Sequence, residues 1–244
     1  MPKCSILGVQ TDAQTFDDAV TTLTRWAGDS TPRYICTCPV YTVMMCYENL
    51  PVMQAINGAD MVTADGMPVV WVQRRRGVEQ AERVYGPDLM LALCQRTAGT
   101  QVNHFFWGGL PGVADMLVQR LTAQFPNLQV AGTYSPPLES IPSQPDPAVV
   151  ERLNNSGANI IWVGLGSPKQ DLWMELYRPA LRAPLLIGVG AAFDMLAGVK
   201  GQAPRWMQRS GLEWLFRLLQ EPRRLARRYL VYNPLFIWHV LREK

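Results

Sequence analysis

An acidic residue that directly follows a short apolar run is the first candidate for chemistry in this chain. Asp65 stands in the tetrapeptide Thr63–Gly66, after the apolar run Met61–Thr63. A carboxylate at the end of a strand can act as a general base on a hydroxyl nucleophile, and it can equally cap a helix that starts near Met67. The sequence leaves both roles open for Asp65.

Two glycine-rich segments, 108–112 and 164–171, follow other apolar runs and have the composition of anion-binding turns. Glycine lets the backbone approach a ligand closely, and the free N–H groups at the start of a helix attract anions. In the second segment Ser167 suits a helix cap, Pro168 suits the first helical position, and Lys169 would add a positive charge. Neither segment matches a Walker A loop or a dinucleotide fingerprint, so an ordinary tight turn is the alternative. Two such turns in one sheet favour a phosphate-bearing ligand, and the glycines concerned are Gly108, Gly109, Gly164 and Gly166.

Two further charged residues lie at positions where they could contact a bound ligand. Asp194 follows the segment Gly188–Phe193 and suits a ribose hydroxyl, a base or a helix cap. Arg83 precedes a turn at Gly86, and it either clamps a phosphate or is a solvated side chain.

The last forty residues differ from the rest of the chain in charge. Residues 205–244, which we call the C-terminal appendage, hold nine Lys or Arg and three Asp or Glu, a net charge of +6. Residues 1–204 hold 14 basic and 17 acidic residues, a net charge of −3. This asymmetry indicates an anionic partner, which is a phospholipid surface, a pyrophosphate or a nucleic acid.

The appendage has two patterns of helical spacing. One is an apolar stripe formed by Leu212, Leu215, Phe216 and Leu219. The other is a set of arginines spaced to share one helical face, namely Arg223, Arg224, Arg227 and Arg228. A basic amphipathic helix punctuated by tryptophan is typical of a membrane interface, and arginine also binds pyrophosphate. The alternatives are a helix pair that packs its stripe on the sheet, with solvated arginines, and a contact with nucleic-acid phosphates.

The elements that must position these residues are short β-branched and aromatic runs with helical stretches between them. The predicted strands are Arg33–Thr37, Met61–Thr63, His104–Trp107, Gln129–Gly132, Asn159–Val163 and Leu185–Val189. This alternation predicts an α/β fold, a Rossmann-like, mostly parallel sheet covered by helices on both faces. We expect a catalytic core over residues 1–204 and a helical appendage over 205–244, with a proline-rich loop at 134–147. Ligands of such sheets bind at the carboxyl ends of the strands, which is where the candidate residues stand.

Composition excludes several classes of protein. The chain has 244 residues, and 48% of them are hydrophobic, which is ample for a core and unlike a disordered protein. Five cysteines without framework spacing indicate free thiols, and only two histidines argue against a histidine-rich metal site. No secretory signal and no apolar run long enough to span a bilayer is visible, so a protein that meets a membrane here would lie on it.

Several segments, taken in order, resemble the WecG/TagA/CpsF family of bacterial glycosyltransferases. They cover most of the chain and are Thr37, Thr63–Gly66, Arg83–Asp88, Phe106–Gly109, Val163–Asp171, Gly188–Gly198 and the appendage from Arg205 to Arg224. The resemblance implies transfer of a sugar from a UDP-sugar, N-acetylmannosamine among them, to a polyprenyl-diphosphate-linked acceptor. It implies inversion at the sugar, no metal ion and no cofactor. The pathway stays open among capsule, exopolysaccharide, enterobacterial-type antigen and teichoic acid.

The resemblance also implies roles for single residues and a place in the cell. Asp65 would be the general base, and Thr37, Arg83, Gln170 and Asp194 would line the donor pocket. The arginines Arg217, Arg223, Arg224, Arg227 and Arg228 would meet the lipid diphosphate or anionic lipid. The protein would be cytoplasmic and peripherally attached to the inner face of the cell membrane. No nucleic-acid partner is expected, and the oligomeric state is open.

One position departs from the family pattern. The family shows T-x-N after the first predicted strand, and this chain has Thr37-Cys38-Pro39. Proline offers neither a side-chain amide nor a backbone N–H. A changed donor sugar and a UDP-sugar binder that has lost catalysis are the two consequences to weigh, and Asp65 argues for activity.

Overall fold

A parallel sheet forms the centre of the fold, in a computed structural model that describes residues 2–137 and 140–243. Leu138 and Glu139 of the predicted proline-rich loop and Lys244 of the predicted appendage lie outside the described residues. The strands are β1 Lys3–Ile6, β2 Val9–Asp12, β3 Arg33–Cys38, β4 Met61–Ala64, β5 Asn103–Gly108, β6 Gln129–Tyr134, β7 Ile160–Gly164 and β8 Leu185–Gly188.

Helices connect and cover these strands. Within the described residues they are α1 Phe16–Ala27, α2 Val40–Glu48, α3 Leu50–Asn57, α4 Met67–Arg75, α5 Gly86–Thr97, α6 Val113–Gln124, α7 Pro147–Asn155, α8 Lys169–Tyr177, α9 Ala192–Leu196, α10 Arg205–Arg209, α11 Glu213–Gln220, α12 Pro222–Ala226 and α13 Tyr232–Arg242. A π-helical turn, Arg227–Val231, joins the last two. None of the helices in the described part of the chain combines the length and apolarity needed to cross a bilayer.

The sheet order is β1-β2-β4-β3-β8-β7-β5-β6. Among the described strand pairs, β1–β2 is antiparallel and the others are parallel. The six predicted strands are all present, so the predicted α/β fold is confirmed. Alternate residues of each central strand enter different cores. In β7, Ile161 and Val163 pack on one face of the sheet, and Ile160 and Trp162 pack on the other. Strands buried on both faces must be apolar throughout, and this is why the apolar runs in the sequence predict them.

The N-terminal hairpin of β1 and β2 is an element that the sequence analysis did not predict. Leu7 and Gly8 connect its strands with positive φ angles of 50° and 87°. A buried carboxylate holds the hairpin against the sheet, because Asp12 Oδ2 accepts from Val62 N at 2.7 Å and pairs with Lys3 Nζ at 2.8 Å. Four-residue strands carry little periodic signal, so the hairpin depends on this tertiary contact.

The appendage lies on the core and is tied to it by its carboxylates. Its three acidic residues each pair with a core cation: Glu213 with Arg83, Glu221 with Lys200 and Glu243 with Arg76. Its arginines are therefore left in excess on the docked segment. The predicted C-terminal helical appendage is present, and the division of the chain at residue 204 stays a prediction.

The apolar stripe of α11 faces solvent. Leu215 is 37% exposed and Leu219 is 74% exposed, whereas Glu213 is buried. The alternative in which the appendage packs this stripe on the sheet is therefore wrong. Residues three and four apart share one helical face, so the face opposite the stripe carries Glu213 and Arg217 inward. The helix directs Glu213 and Arg217 toward the cavity and Leu215 and Leu219 toward solvent.

Candidate functional site

A cavity of about 630 Å³ opens at the carboxyl ends of the central strands. Every residue predicted to bind the donor or to act as base lines it, apart from Gly108. The appendage forms part of its wall with residues that include Glu213, Trp214, Arg217 and Tyr229. Because β3, β4, β7 and β8 are adjacent and parallel, their carboxyl ends meet at one edge, as expected for a ligand site of an α/β sheet.

Asp65 lies just past the end of β4, in the wall of this cavity. It does not cap α4, because Gly66 holds the cap position and no side chain bonds there. The Asp65 side chain is 17% exposed, and its Oδ1 atom is buried without a hydrogen-bond partner. Burial raises the pKa of Asp65 to about 7, partly opposed by Arg83 and reinforced by Glu213. A carboxylate with a pKa near neutrality and a free oxygen has the properties of a general base.

Arg83 lies between two carboxylates. Its Nη2 atom is 2.6 Å from Glu213 Oε2 and 3.8 Å from Asp65 Oδ1. The guanidinium also stacks over the ring of Tyr85 at 3.9 Å, and its buried Nε has no hydrogen-bond partner. Arg83 is therefore not a solvated side chain, and it keeps a donor free for a ligand.

The glycine turns approach each other at the ends of β5 and β7. Gly109 and Gly166 line the cavity with φ angles of 74° and 78°. Gly108 does not line it. A Cβ on Gly108 would lie 2.7 Å from the carbonyl carbon of Gly164 on the neighbouring strand, so this glycine permits close strand packing instead of ligand contact.

The start of α8 differs from the predicted cap. Pro168 occupies the cap position and the helix begins at Lys169, so Ser167 is not the cap. Gln170 is buried and closes the turn, since its Oε1 accepts from Gly166 N at 3.1 Å. Thr37 is also committed to the backbone, because its hydroxyl donates to Gly188 O at 2.8 Å. Thr37 and Gln170 thus shape the cavity wall as well as lining it.

A fully buried carboxyl lies under this turn at Asp171. Neither of its oxygens has a hydrogen-bond partner of ordinary geometry, although the Ser167 hydroxyl and the Cys36 thiol are near. Burial raises the pKa of Asp171 to about 6, while Ser167 and Cys36 lower it in part. Asp171 does not line the cavity, and it is part of the support beneath the turn.

Asp194 is held by a lysine that the sequence analysis did not single out. Lys200 Nζ is 2.7 Å from Asp194 Oδ2 and 3.1 Å from Glu221 Oε1. Asp194 does not cap α9, because Ala191 holds that position. Lys200 lines the cavity and joins the wall of the donor pocket to the appendage. No motif pointed to it, since a lone lysine in a loop has no distinctive spacing.

The arginines of the appendage divide into two groups. Arg217, Arg224 and Arg228 line the cavity, Arg224 at its exposed rim with a side chain that is 54% exposed. Arg223 and Arg227 are exposed and do not line it. The expected single arginine face is therefore wrong for these pairs. Arg224 and Arg228 are four residues apart and share a face, whereas their neighbours are displaced by about 100° around the axis.

Arg228 is a partly buried cation, and no carboxylate pairs with it among the described residues. It stacks over Tyr41 at 4.3 Å, and its buried Nε has no hydrogen-bond partner. Burial, with repulsion from Arg217 and Arg224, lowers the pKa of Arg228. A buried guanidinium is costly without an anion, so the geometry is that of an anion-binding group.

Other groups in the described part of the chain do not form a metal centre. No cluster of three or more His, Cys, Asp and Glu side chains there could hold a metal ion. The five cysteines are buried and unpaired as thiols, as their spacing predicted.

A comparison with protein families shows which family the chain matches. The family model described as "Glycosyl transferase WecG/TagA/CpsF family" matches residues 4–244. The match spans the N-terminal hairpin, the cavity and the appendage. Asp65, both glycine turns and Glu213 lie within it.

Proposed function

The chain belongs to the WecG/TagA/CpsF family of glycosyltransferases, and from this premise we propose the reaction. The protein moves a hexose or an N-acetylhexosamine, for example N-acetylmannosamine, from a UDP-sugar to a polyprenyl-diphosphate-linked glycan. The transfer inverts the anomeric centre and uses no metal ion. It takes place at the inner face of the cell membrane, in the synthesis of a cell-surface polysaccharide.

The observation that carries this proposal is the placement of Asp65. A carboxylate with a free oxygen and a pKa of about 7 lies in the same cavity as two glycine turns and three arginines of the appendage. The glycine turns and the arginines suit binding of a diphosphate, and the Asp65 carboxylate suits a proton transfer. A protein that binds a UDP-sugar without catalysis would not need a carboxylate with these properties. The family match argues against a nucleic-acid-binding module.

The mechanism is a single displacement. The acceptor hydroxyl attacks the anomeric carbon from the face opposite UDP, and its proton passes to the Asp65 carboxylate. The bond between that carbon and the β-phosphate oxygen breaks, and UDP leaves with the bonding electrons. Attack from the opposite face inverts the configuration.

Charge that develops on the leaving diphosphate needs stabilisation. The start of α8 at Lys169 and the guanidinium groups of Arg217 and Arg228 line the cavity for this purpose. Preorganised donors of this kind lower a barrier because they need no rearrangement as the charge forms. Pro39 also lines the cavity, where it offers no side-chain hydrogen bond, so the donor sugar is selected without one at this position.

Release of UDP from a panel of UDP-hexoses, with a short-chain polyprenyl-diphosphate acceptor, tests the reaction. We expect acceptor-dependent UDP release with one donor preferred and no loss of rate in a metal chelator. Absence of release with every donor, while UDP binding persists, would instead favour the binder without catalysis.

The exposed face of the appendage is the proposed membrane contact. Leu215, Leu219, Leu230 and Trp238 are exposed on it, and Arg223 and Arg227 add outward positive charge. Apolar side chains that enter the headgroup region act together with basic residues, each worth about 1 kcal/mol near an anionic surface.

Flotation with vesicles tests this contact. We expect the protein to float with vesicles that contain anionic lipid, and to float less as ionic strength rises. The double variant Leu215→Glu/Leu219→Glu should abolish flotation, because two charges enter the apolar face. Met116→Glu is the matched control, since Met116 is 41% exposed on α6, outside the appendage. Equal flotation of the double variant and the wild type would rule out this face.

A further inference from the structure

The appendage brings one carboxylate into the cavity. Glu213 is the first residue of α11, its side chain is 12% exposed, and its Oε2 atom is 2.6 Å from Arg83 Nη2. The same Nη2 atom is 3.8 Å from Asp65 Oδ1. We propose, resting on the function proposed above, that Glu213 is a positioning residue that holds the Arg83 guanidinium away from Asp65. The Asp65 carboxylate then stays free to accept the proton of the acceptor hydroxyl.

The two distances separate a bond from a near approach. At 2.6 Å the Arg83–Glu213 contact is a charge-assisted hydrogen bond, and at 3.8 Å the Arg83–Asp65 contact is outside hydrogen-bond range. This is why Asp65 Oδ1 has no hydrogen-bond partner although a guanidinium is near. An arginine prefers a direct, often two-pronged bond with a carboxylate. Without Glu213, Arg83 would be free to form that bond with Asp65.

A carboxylate bound by arginine is a weaker base. The charged and titratable groups that face Asp65 are Arg83, Arg217, Glu213, the Tyr85 hydroxyl and the buried Cys38 thiol, and the Gly86 N–H also faces it. Burial is the largest cause of its raised pKa, the two arginines and the Gly86 N–H oppose it, and Glu213 adds to it. Removing the Glu213 charge therefore lowers the pKa of Asp65 and makes proton transfer to it less favourable.

The contact also makes the base depend on the appendage. Asp65 and Arg83 belong to the core, whereas Glu213 arrives only when α11 is docked. A protein whose appendage is displaced would leave Arg83 to pair with Asp65. Docking of α11 thus completes the site in two ways, by adding Arg217 to the cavity and by drawing Arg83 toward Glu213.

A competing role gives opposite results. In that role Glu213 is an autoinhibitory group that occupies the place of a donor phosphate on Arg83. Its removal would then improve donor binding and leave the titration of Asp65 where it is in the wild type. The full-length variants Glu213→Gln and Glu213→Asp separate the two roles.

The measurement is the titration of the Asp65 carboxyl by carbon-13 NMR in protein labelled at aspartate, with Asp65→Asn to assign the signal. We expect Glu213→Gln to lower the Asp65 midpoint by about one pH unit. Glu213→Asp keeps the charge but shortens the reach, and it should lower the midpoint by less. Glu243→Gln is the matched control, because Glu243 ties the appendage to Arg76 and to Leu7 N without facing Asp65. Its Asp65 midpoint should equal that of the wild type.

Turnover gives a second readout. In Glu213→Gln the acidic limb of the kcat/KM profile should move to lower pH with the NMR midpoint, and kcat near neutral pH should fall about tenfold. An unchanged midpoint in both Glu213 variants, or a lower donor KM with an unchanged midpoint, overturns the proposal. The titration needs no substrate. A shifted midpoint in a protein that releases no UDP from any donor would therefore refute the proposed reaction and not the Glu213–Arg83–Asp65 coupling.

Discussion

Replacement of Asp65 by asparagine is expected to reduce sugar transfer about 10²–10⁴-fold, the range that a general base contributes. The variant keeps the size of the side chain and removes its capacity to hold the acceptor proton. UDP release with the preferred donor measures the loss. Transfer close to the wild-type rate would exclude Asp65 as the base.

The same variant should be more stable than the wild type above neutral pH. Burial raises the pKa of Asp65 to about 7 from its ordinary value of 3.8. Between these values the folded protein binds more protons than the unfolded chain, so stability falls as pH rises through the window. Asparagine has no charge to bury, and we expect a gain on the order of 2 kcal/mol at about pH 8 that disappears by about pH 4.

Urea unfolding at both pH values checks this gain. Asp17→Asn is the control, because the Asp17 side chain is 78% exposed and pairs with Arg96 at the surface. It should leave the free energy of unfolding nearly unchanged at either pH. An Asp65→Asn variant that is no more stable at high pH would mean that the carboxyl is better solvated than its position indicates.

Loss of the inward arginines of the appendage is expected to have the next largest effect. Arg217→Ala and Arg228→Ala should each lower kcat/KM about 10²–10³-fold, the range found when one preorganised donor is lost. Both side chains line the cavity, and the buried Nε of Arg228 has no hydrogen-bond partner among the described residues. Their loss removes charge stabilisation from the leaving diphosphate. Kinetics on a short-chain acceptor, away from vesicles, isolates this effect.

The neighbouring arginines are the matched comparison. Arg227→Ala and Arg223→Ala change the same residue type in the same segment, at positions that are exposed and outside the cavity. We expect these variants to weaken flotation with anionic vesicles. Their kcat/KM on a short-chain acceptor should fall only slightly. Equal kinetic losses in both pairs would contradict the division into inward and outward arginines.

The fold was largely predictable because its signals are local. The central strands are buried on both faces, so each is a continuous apolar run. Ile160–Val163 is such a run, and its apolar residues predicted a buried strand. The position of Asp65 followed in the same way, since parallel strands bring the residues after them to one edge. The β1–β2 hairpin was not predicted because it is short and because Asp12 attaches it to the sheet through Val62 N, 50 residues away in the chain.

The sequence predicted many of the residues that line the cavity, and it did not predict how they are arranged there. Spacing placed Arg217 and Arg228 in a basic segment, but only the docked helices decide that they point inward while Arg223 and Arg227 do not. Nothing in the sequence marked Glu213, one acid in a basic appendage, as the partner of Arg83 across 130 residues.

The sequence by itself determined the layered α/β fold, the carboxylate at the strand end and the excess of positive charge at the C-terminus. These properties depend on residues close together in the chain. The tertiary structure alone decided which face of α11 is buried and that Glu213 is the carboxylate closest to Arg83. Burial and ion pairing are relations between distant segments, and their energies are set by packing that local composition does not encode.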